Sequence, residues 1–134
     1  MNIENKYDRK VRIFETPLVL AETFACDLVN EIRNAANRQS SFTVALAGGS
    51  TPRLLYTILA GKYGKSVDWS IVHLFWGDER CVPPDDPDSN FGMVAKEFIS
   101  KIDIPLKNIH RIRGEDDPVC EAVRYSEEII RNTG

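Results

Sequence analysis

The sequence predicts an α/β chain: a Rossmann-like, three-layer αβα domain built on a mostly parallel sheet. Three observations carry this expectation. Short apolar runs of strand length alternate with longer segments whose apolar residues recur at helical spacing. Three of the longer segments open on a hydroxyl or carboxylate residue followed by proline, at Thr16-Pro17, Thr51-Pro52 and Asp117-Pro118. Proline is tolerated there because the first helical N–H groups have no partner to lose. Finally, strands alternating with helices need crossover connections, which make neighbouring strands parallel. A length of 134 residues fits a single domain over residues 1–134. It excludes a complete eight-fold βα barrel, which takes about 250 residues.

The elements are expected in the order βαβαβαβα. The first strand is placed at residues 10–14, where Val11 and Ile13 alternate with Arg12. A helix then runs from the Thr16 cap to about residue 37, with Leu20, Phe24, Leu28 and Ile32 stepping by four along one face. Residues 42–47 form a short, uncharged run between serines and glycines, as in a strand covered on both faces. The second helix starts at Thr51-Pro52, carries Leu54, Leu55, Ile58 and Leu59, and stops at Gly61. Residues 70–76 are rich in β-branched and aromatic side chains and read as the third strand. A helix over residues 89–100 follows, capped by Ser89, and then a short strand over 108–112. The last helix opens at Asp117-Pro118 and runs to about residue 131, with Val119, Val123 and Ile130 on one side.

Composition removes several function classes. Seventeen basic against twenty acidic residues give a net charge of −3 and an isoelectric point near 5.4. That balance argues against nucleic-acid binding, which shows a basic face. No stretch reaches the roughly 18 apolar residues of a membrane span, and residues 1–10 are polar, without a signal-peptide core. Cys26, Cys81 and Cys120 are odd in number and widely spaced, which suits reduced thiols in the cytoplasm.

In open parallel sheets the ligand site lies outside the carboxyl ends of the strands. Two loops occupy such positions. The first, Ala47-Gly48-Gly49-Ser50-Thr51-Pro52, combines two glycines, two hydroxyls and a helix start. Unpaired N–H groups and the helix dipole make that arrangement suited to a phosphate or carboxylate. It has neither the Walker spacing nor GxGxxG, and a tight turn with a helix cap is the alternative. The second loop covers residues 77–90 and begins Gly77-Asp78-Glu79-Arg80. Arg80 offers a planar fork for an anion. Asp78 suits a base, an orienting acceptor or an ion-pair partner, the alternative being a solvated turn. The Asp85 to Asn90 stretch lacks the glycine and terminal glutamate of a calcium loop, so turn residues and a Ser89 cap explain it. His73 and His110 have no metal-ligand spacing and read as packed or solvated side chains.

These segments carry a resemblance. Leu46-Ala-Gly-Gly-Ser-Thr-Pro52, Trp76-Gly-Asp-Glu-Arg-Cys-Val-Pro83, Asp88-Ser-Asn90, and Asn108-Ile-His-Arg-Ile112 with Gly114-Glu115 resemble the 6-phosphogluconolactonase family. The likeness runs from about Val11 to the end of the chain. Related glucosamine-6-phosphate deaminases have a similar glycine loop but an Asp-Glu-Tyr type sequence where this chain has Arg80. The resemblance implies the sugar-phosphate isomerase/lactonase fold. It implies hydrolysis of 6-phosphoglucono-δ-lactone to 6-phosphogluconate in the oxidative pentose phosphate pathway, with no metal or organic cofactor. The partner implied is a small-molecule sugar phosphate, with no nucleic acid and no membrane. By motif position Gly48, Gly49, Ser50 and Thr51 would hold the phosphate end or the lactone oxygens. Arg80 would supply positive charge, and Asp78 would orient it or a water. Family members approach twice this length, and their second half carries a Gly-Asp-Gly-His type segment whose histidine is the expected base. The chain is therefore expected to be the N-terminal part of a lactonase, inactive by itself and prone to self-association. The alternatives are a glucosamine-6-phosphate deaminase/isomerase-like enzyme and a non-catalytic sugar-phosphate-binding module.

Overall fold

The computed structural model describes residues 11–134. Its elements are helix α1 (Pro17–Asn37), strand β1 (Phe42–Leu46), α2 (Ser50–Tyr63), β2 (Val72–Trp76), α3 (Asn90–Glu97), β3 (Ile109–His110) and α4 (Pro118–Thr133). The three strands form one parallel sheet in the order β1-β2-β3. Phe42 pairs with Val72 and Leu46 with Trp76, while Leu74 pairs with Ile109. Successive side chains of a strand point to opposite faces. Val72, Leu74 and Trp76 face a core made with α1, α2 and α3. Phe75 faces the other way, against His110 and the Tyr125 ring of α4. The result is the three-layer αβα arrangement.

Local chemistry explains the helix starts. The Thr16 hydroxyl accepts from the Val19 N–H with Pro17 at the first position, the Ser89 hydroxyl accepts from Gly92 N–H, and the Asp117 carboxylate accepts from Cys120 N–H. Each satisfies one of the orphan donors of a first turn. The second helix departs from the expectation. It begins at Ser50, with Gly49 rather than Thr51 as its cap, and no side chain closes its first turn. It also runs past Gly61 to Tyr63, with Gly64 as the C-cap.

Other expectations are corrected by tertiary packing. Residues 11–14 form no strand, whereas residues 1–10, including Lys10 of the expected strand, lie outside the described residues. Val11 and Ile13 are 77% and 92% exposed, and among the described residues no neighbouring strand offers the segment a ladder. Arg12 instead pairs with Asp27 of α1 at 2.7 Å. The buried stripe of α1 is Ala21, Ala25, Val29, Ile32 and Ala35, while Leu20 and Phe24 are exposed. Small residues let α1 approach α2 closely and leave the larger ones at the rim. In α4 the expected face is inverted: Val119, Val123 and Ile130 are exposed, and Glu121 and Tyr125 are buried. The expected strand at 108–112 shortens to two residues because the chain turns away to pack its 111–116 loop on α4.

Candidate functional site at the carboxyl ends of β1 and β2

Leu46 and Trp76 are register partners at the ends of adjacent strands, and the Gly77 N–H bonds to the Leu46 carbonyl at 3.0 Å. The two loops singled out by composition therefore leave the sheet side by side. Each exit is clasped by a tyrosine hydroxyl. Tyr56 accepts from the Ala47 N–H at 3.0 Å and donates to the Ala47 carbonyl at 2.7 Å. Tyr125 accepts from the Trp76 N–H at 2.7 Å, and its oxygen lies 3.0 Å from the Trp76 carbonyl and 3.1 Å from that of His110. Burial pushes both phenols above their ordinary pKa, so they stay neutral and keep the proton these bonds require.

Beyond Ala47 the chain turns through Gly49 at φ 104°, a conformation that favours glycine. The helix then begins. The Ser50 and Thr51 amides sit in its first turn, where no intrahelical acceptor exists, and no side chain caps them. Ser50 and Thr51 are exposed, and a hollow of about 370 Å³ opens beside them, lined also by Pro17, Arg53, Leu54 and Thr57. Open N–H groups therefore stand at a helix start, one residue earlier than the proline signal indicated.

Beyond Trp76, Gly77, Asp78 and Arg80 are exposed and Glu79 is half-buried. The four neighbouring residue types turn out to have different jobs. Glu79 Oε1 accepts from the Arg80 N–H at 2.8 Å and the Asn90 N–H at 2.7 Å, and Oε2 accepts from the Phe91 N–H at 2.8 Å and the Ser89 hydroxyl at 3.1 Å. It caps α3 from a distance. Asp78 Oδ1 accepts from Asn90 Nδ2 at 3.3 Å. No ion pair joins Asp78 to Arg80 among the described residues, so Asp78 is held by Asn90 rather than by the arginine. The Arg80 carbonyl packs on Gly114, where a Cβ would lie 2.1 Å from it. A hollow of about 300 Å³ follows, lined by Asp78, Arg80, Cys81, Arg113, Gly114 and Tyr125 among others. The Asp85 to Asn90 stretch is built of turns, with Asp86 Oδ1 accepting from the Asp88 N–H.

The structure thus sets Gly48 and Asp78 around one side chain, Asn90, but it does not place Ser50, Thr51 and Arg80 in one closed cavity. The residues that sequence reasoning missed are Tyr56, Tyr125, Glu79 and Gly114, together with the bridging role of Asn90. Asn90, Glu79 and Gly114 had a local signal, their place inside the family-like segments, and the two tyrosines had none. The histidines lie elsewhere. His110 is buried, with Nδ1 2.6 Å from Glu128 and Nε2 3.0 Å from His73 Nδ1. Burial, then His110 and Lys107, hold His73 below its ordinary pKa. This pair belongs to the α4 face of the sheet.

Comparison with known proteins agrees with this architecture. Residues 15–134 match the family model described as glucosamine-6-phosphate isomerases/6-phosphogluconolactonase. A 6-phosphogluconolactonase of Haemophilus influenzae is 49% identical over 87 residues, 64% of this chain and 38% of that protein. One of Treponema pallidum is 38% identical over 120 residues, 90% of this chain and 48% of that protein. A crystal structure of a protein called devB superposes with a TM-score of 0.86 at 36% identity, covering 92% of this chain and 50% of the other. The chain spans about half the length or less of these relatives. With a family model matched over nearly all of its described length, the chain belongs to the glucosamine-6-phosphate isomerase/6-phosphogluconolactonase family.

Proposed function

We propose that the chain is the N-terminal, sugar-phosphate-binding part of an enzyme that hydrolyses 6-phosphoglucono-δ-lactone to 6-phosphogluconate. The observation that carries this reading is the pairing of an uncapped helix start at Ser50 and Thr51 with an exposed Arg80 at adjacent strand ends. Gly48, Gly49, Ser50 and Thr51 present backbone and hydroxyl donors to the phosphate or to the lactone oxygens. In the reaction water adds to the lactone carbonyl carbon, the bond to the ring oxygen breaks, and that oxygen takes up a proton. Negative charge gathers on the former carbonyl oxygen, where Arg80 supplies a fixed, permanently charged donor. Asp78, held by Asn90, accepts a hydrogen bond from a substrate hydroxyl or from the attacking water. His73 and His110 are engaged with each other and with Glu128, so the base for water comes from outside residues 11–134. This part alone binds without turning over.

The same reading assigns the protein to the oxidative pentose phosphate pathway and to the cytoplasm, a compartment in which exposed cysteines stay unpaired, as Cys26, Cys81 and Cys120 are. It treats residues 1–134 as a single domain that associates with further polypeptide through the outer edge of β1, which has no neighbouring strand among the described residues. Amide NMR of the labelled chain during titration with inorganic phosphate and with 6-phosphogluconate tests the site. Shifts are expected at Gly48, Gly49, Ser50, Thr51 and Arg80, and shifts confined to other regions would refute it.

A further inference from the structure

Asn90 opens α3, is 7% exposed, and lies between the two loops. Its Nδ2 donates to the Asp78 carbonyl at 3.2 Å and approaches Asp78 Oδ1 at 3.3 Å. Its carboxamide also packs against Gly48: a Cβ at position 48 would meet Asn90 Oδ1 at 2.0 Å and Cγ at 2.7 Å. A side chain there would have to displace the Asn90 carboxamide. The Asn90 backbone is fixed independently, because Glu79 takes its N–H and that of Phe91 while the Ser89 hydroxyl takes the Gly92 N–H. One side chain on a doubly capped helix start therefore touches both loops that hold the substrate in the reading above. Neither loop has another direct side-chain contact to the other among the described hydrogen bonds.

We propose that Asn90 is a positioning residue, setting the spacing between the Gly48 to Thr51 anion cradle and Asp78, and with it the fit of the sugar rather than of the phosphate. This rests on the lactone reading. The reasoning is one of reach. A helix start binds a phosphate with its own N–H groups whatever the neighbouring loop does. A sugar phosphate gains over free phosphate only when groups some distance from the phosphate stand where its hydroxyls fall, which requires the Asp78 loop to be held in place. Glu79 serves the same end indirectly, by immobilising the backbone at Arg80 and at Asn90 together.

The test compares two probes on the 134-residue chain and its variants: inorganic phosphate and 6-phosphogluconate, each titrated by amide NMR. Asn90→Asp keeps the shape against Gly48 but replaces the donor to Asp78 by a second carboxylate. Asn90→Ala removes both contacts. The amides of β1 and β2 report in every variant whether the sheet is intact. In the parent chain 6-phosphogluconate is expected to bind more tightly than phosphate. In both variants that margin is expected to fall by about tenfold, as for loss of a hydrogen bond to a charged group, while phosphate affinity changes less than about twofold. A merely structural defect would weaken both probes together and would overturn the proposal. A margin unchanged in Asn90→Asp would overturn it too, leaving the functional reading in place. A parent chain with no margin at all would remove the functional reading and this proposal with it.

Discussion

In the proposed function Arg80 is the residue on which the chemistry turns. Its guanidinium is exposed at a strand end, while its carbonyl is fixed against Gly114. In the longer enzyme proposed here, Arg80→Ala is expected to lower kcat/KM by about 3 kcal/mol in transition-state terms, the size of a lost oxyanion donor. Arg80→Lys should recover only part of this, since a point charge does not replace a planar fork. Lactonase kinetics corrected for spontaneous hydrolysis check it, and an unaffected Arg80→Ala enzyme would remove the assigned role. Gly114 matters for a different reason. A Cβ there would lie 2.1 Å from the Arg80 carbonyl oxygen and 2.6 Å from that of Val82, both backbone atoms that cannot swing aside. Gly114→Ala is therefore expected to cost about 1–3 kcal/mol of stability by overpacking, read as a lower Tm. It should also displace the Arg80 amide signal.

At the scale of the element, α4 is held less by apolar burial than by carboxylates. Glu121 accepts from the Arg113 N–H at 2.7 Å and pairs with Arg124 at 2.6 Å, and Glu128 meets His110 at 2.6 Å. Hydrogen bonds from Arg124 and from His110 hold these two carboxyls below their ordinary range. In the preceding loop the Arg111 guanidinium lowers Glu115 to about 2. A carboxyl whose folded pKa is depressed binds fewer protons folded than unfolded, so its contribution is complete above its ordinary pKa near 4.5 and is lost as pH falls toward 2. His73, also depressed, remains neutral in the fold while the unfolded chain takes a proton, so stability begins to decline as pH drops through about 6.5. Urea midpoints measured at neutral pH, pH 5 and pH 3 are expected to decrease in that order. A midpoint that does not change between neutral pH and pH 3 would show that these pairs contribute nothing. The tyrosine clasps act differently, since neutral phenols keep the loop exits fixed throughout this range.

For the molecule as a whole, the distribution of apolar surface is the main consequence. Among the described residues β3 pairs only with β2, and so does β1, whose outer edge has no neighbouring strand. Beside that edge an apolar groove of about 260 Å³ runs between α1, β1 and α2, lined by Phe24, Leu28, Val44, Leu46 and Leu55 among others. On the opposite layer Val119, Val123 and Ile130 are 59–75% exposed. Unpaired edges and contiguous apolar surface favour association. The 134-residue chain is expected to form oligomers whose mass by light scattering rises with concentration. A monodisperse monomer over a wide concentration range would show that the edge is protected.

The signals that proved legible were those whose partners are near in the chain. Thr16, Ser89 and Asp117 cap helices three residues away, and the runs ending at Leu46 and Trp76 are strands because their composition suits no other backbone. The two glycine- and aspartate-bearing loops were identifiable on the same grounds, since strand ends followed by helix starts are a local pattern. Burial was different. Leu20 and Phe24 follow helical spacing as well as Ala21 and Ala25 do, and only the packing of α1 on α2 selects the alanines. Val11 and Ile13 have strand alternation but, among the described residues, no strand to pair with. Tyr125 lies 49 residues from Trp76, and Asn90 reaches a glycine on another strand end, contacts without any periodicity in the chain. Backbone conformation follows from neighbouring residues; which faces are buried, and which side chains brace the candidate site, depends on packing between segments far apart in sequence.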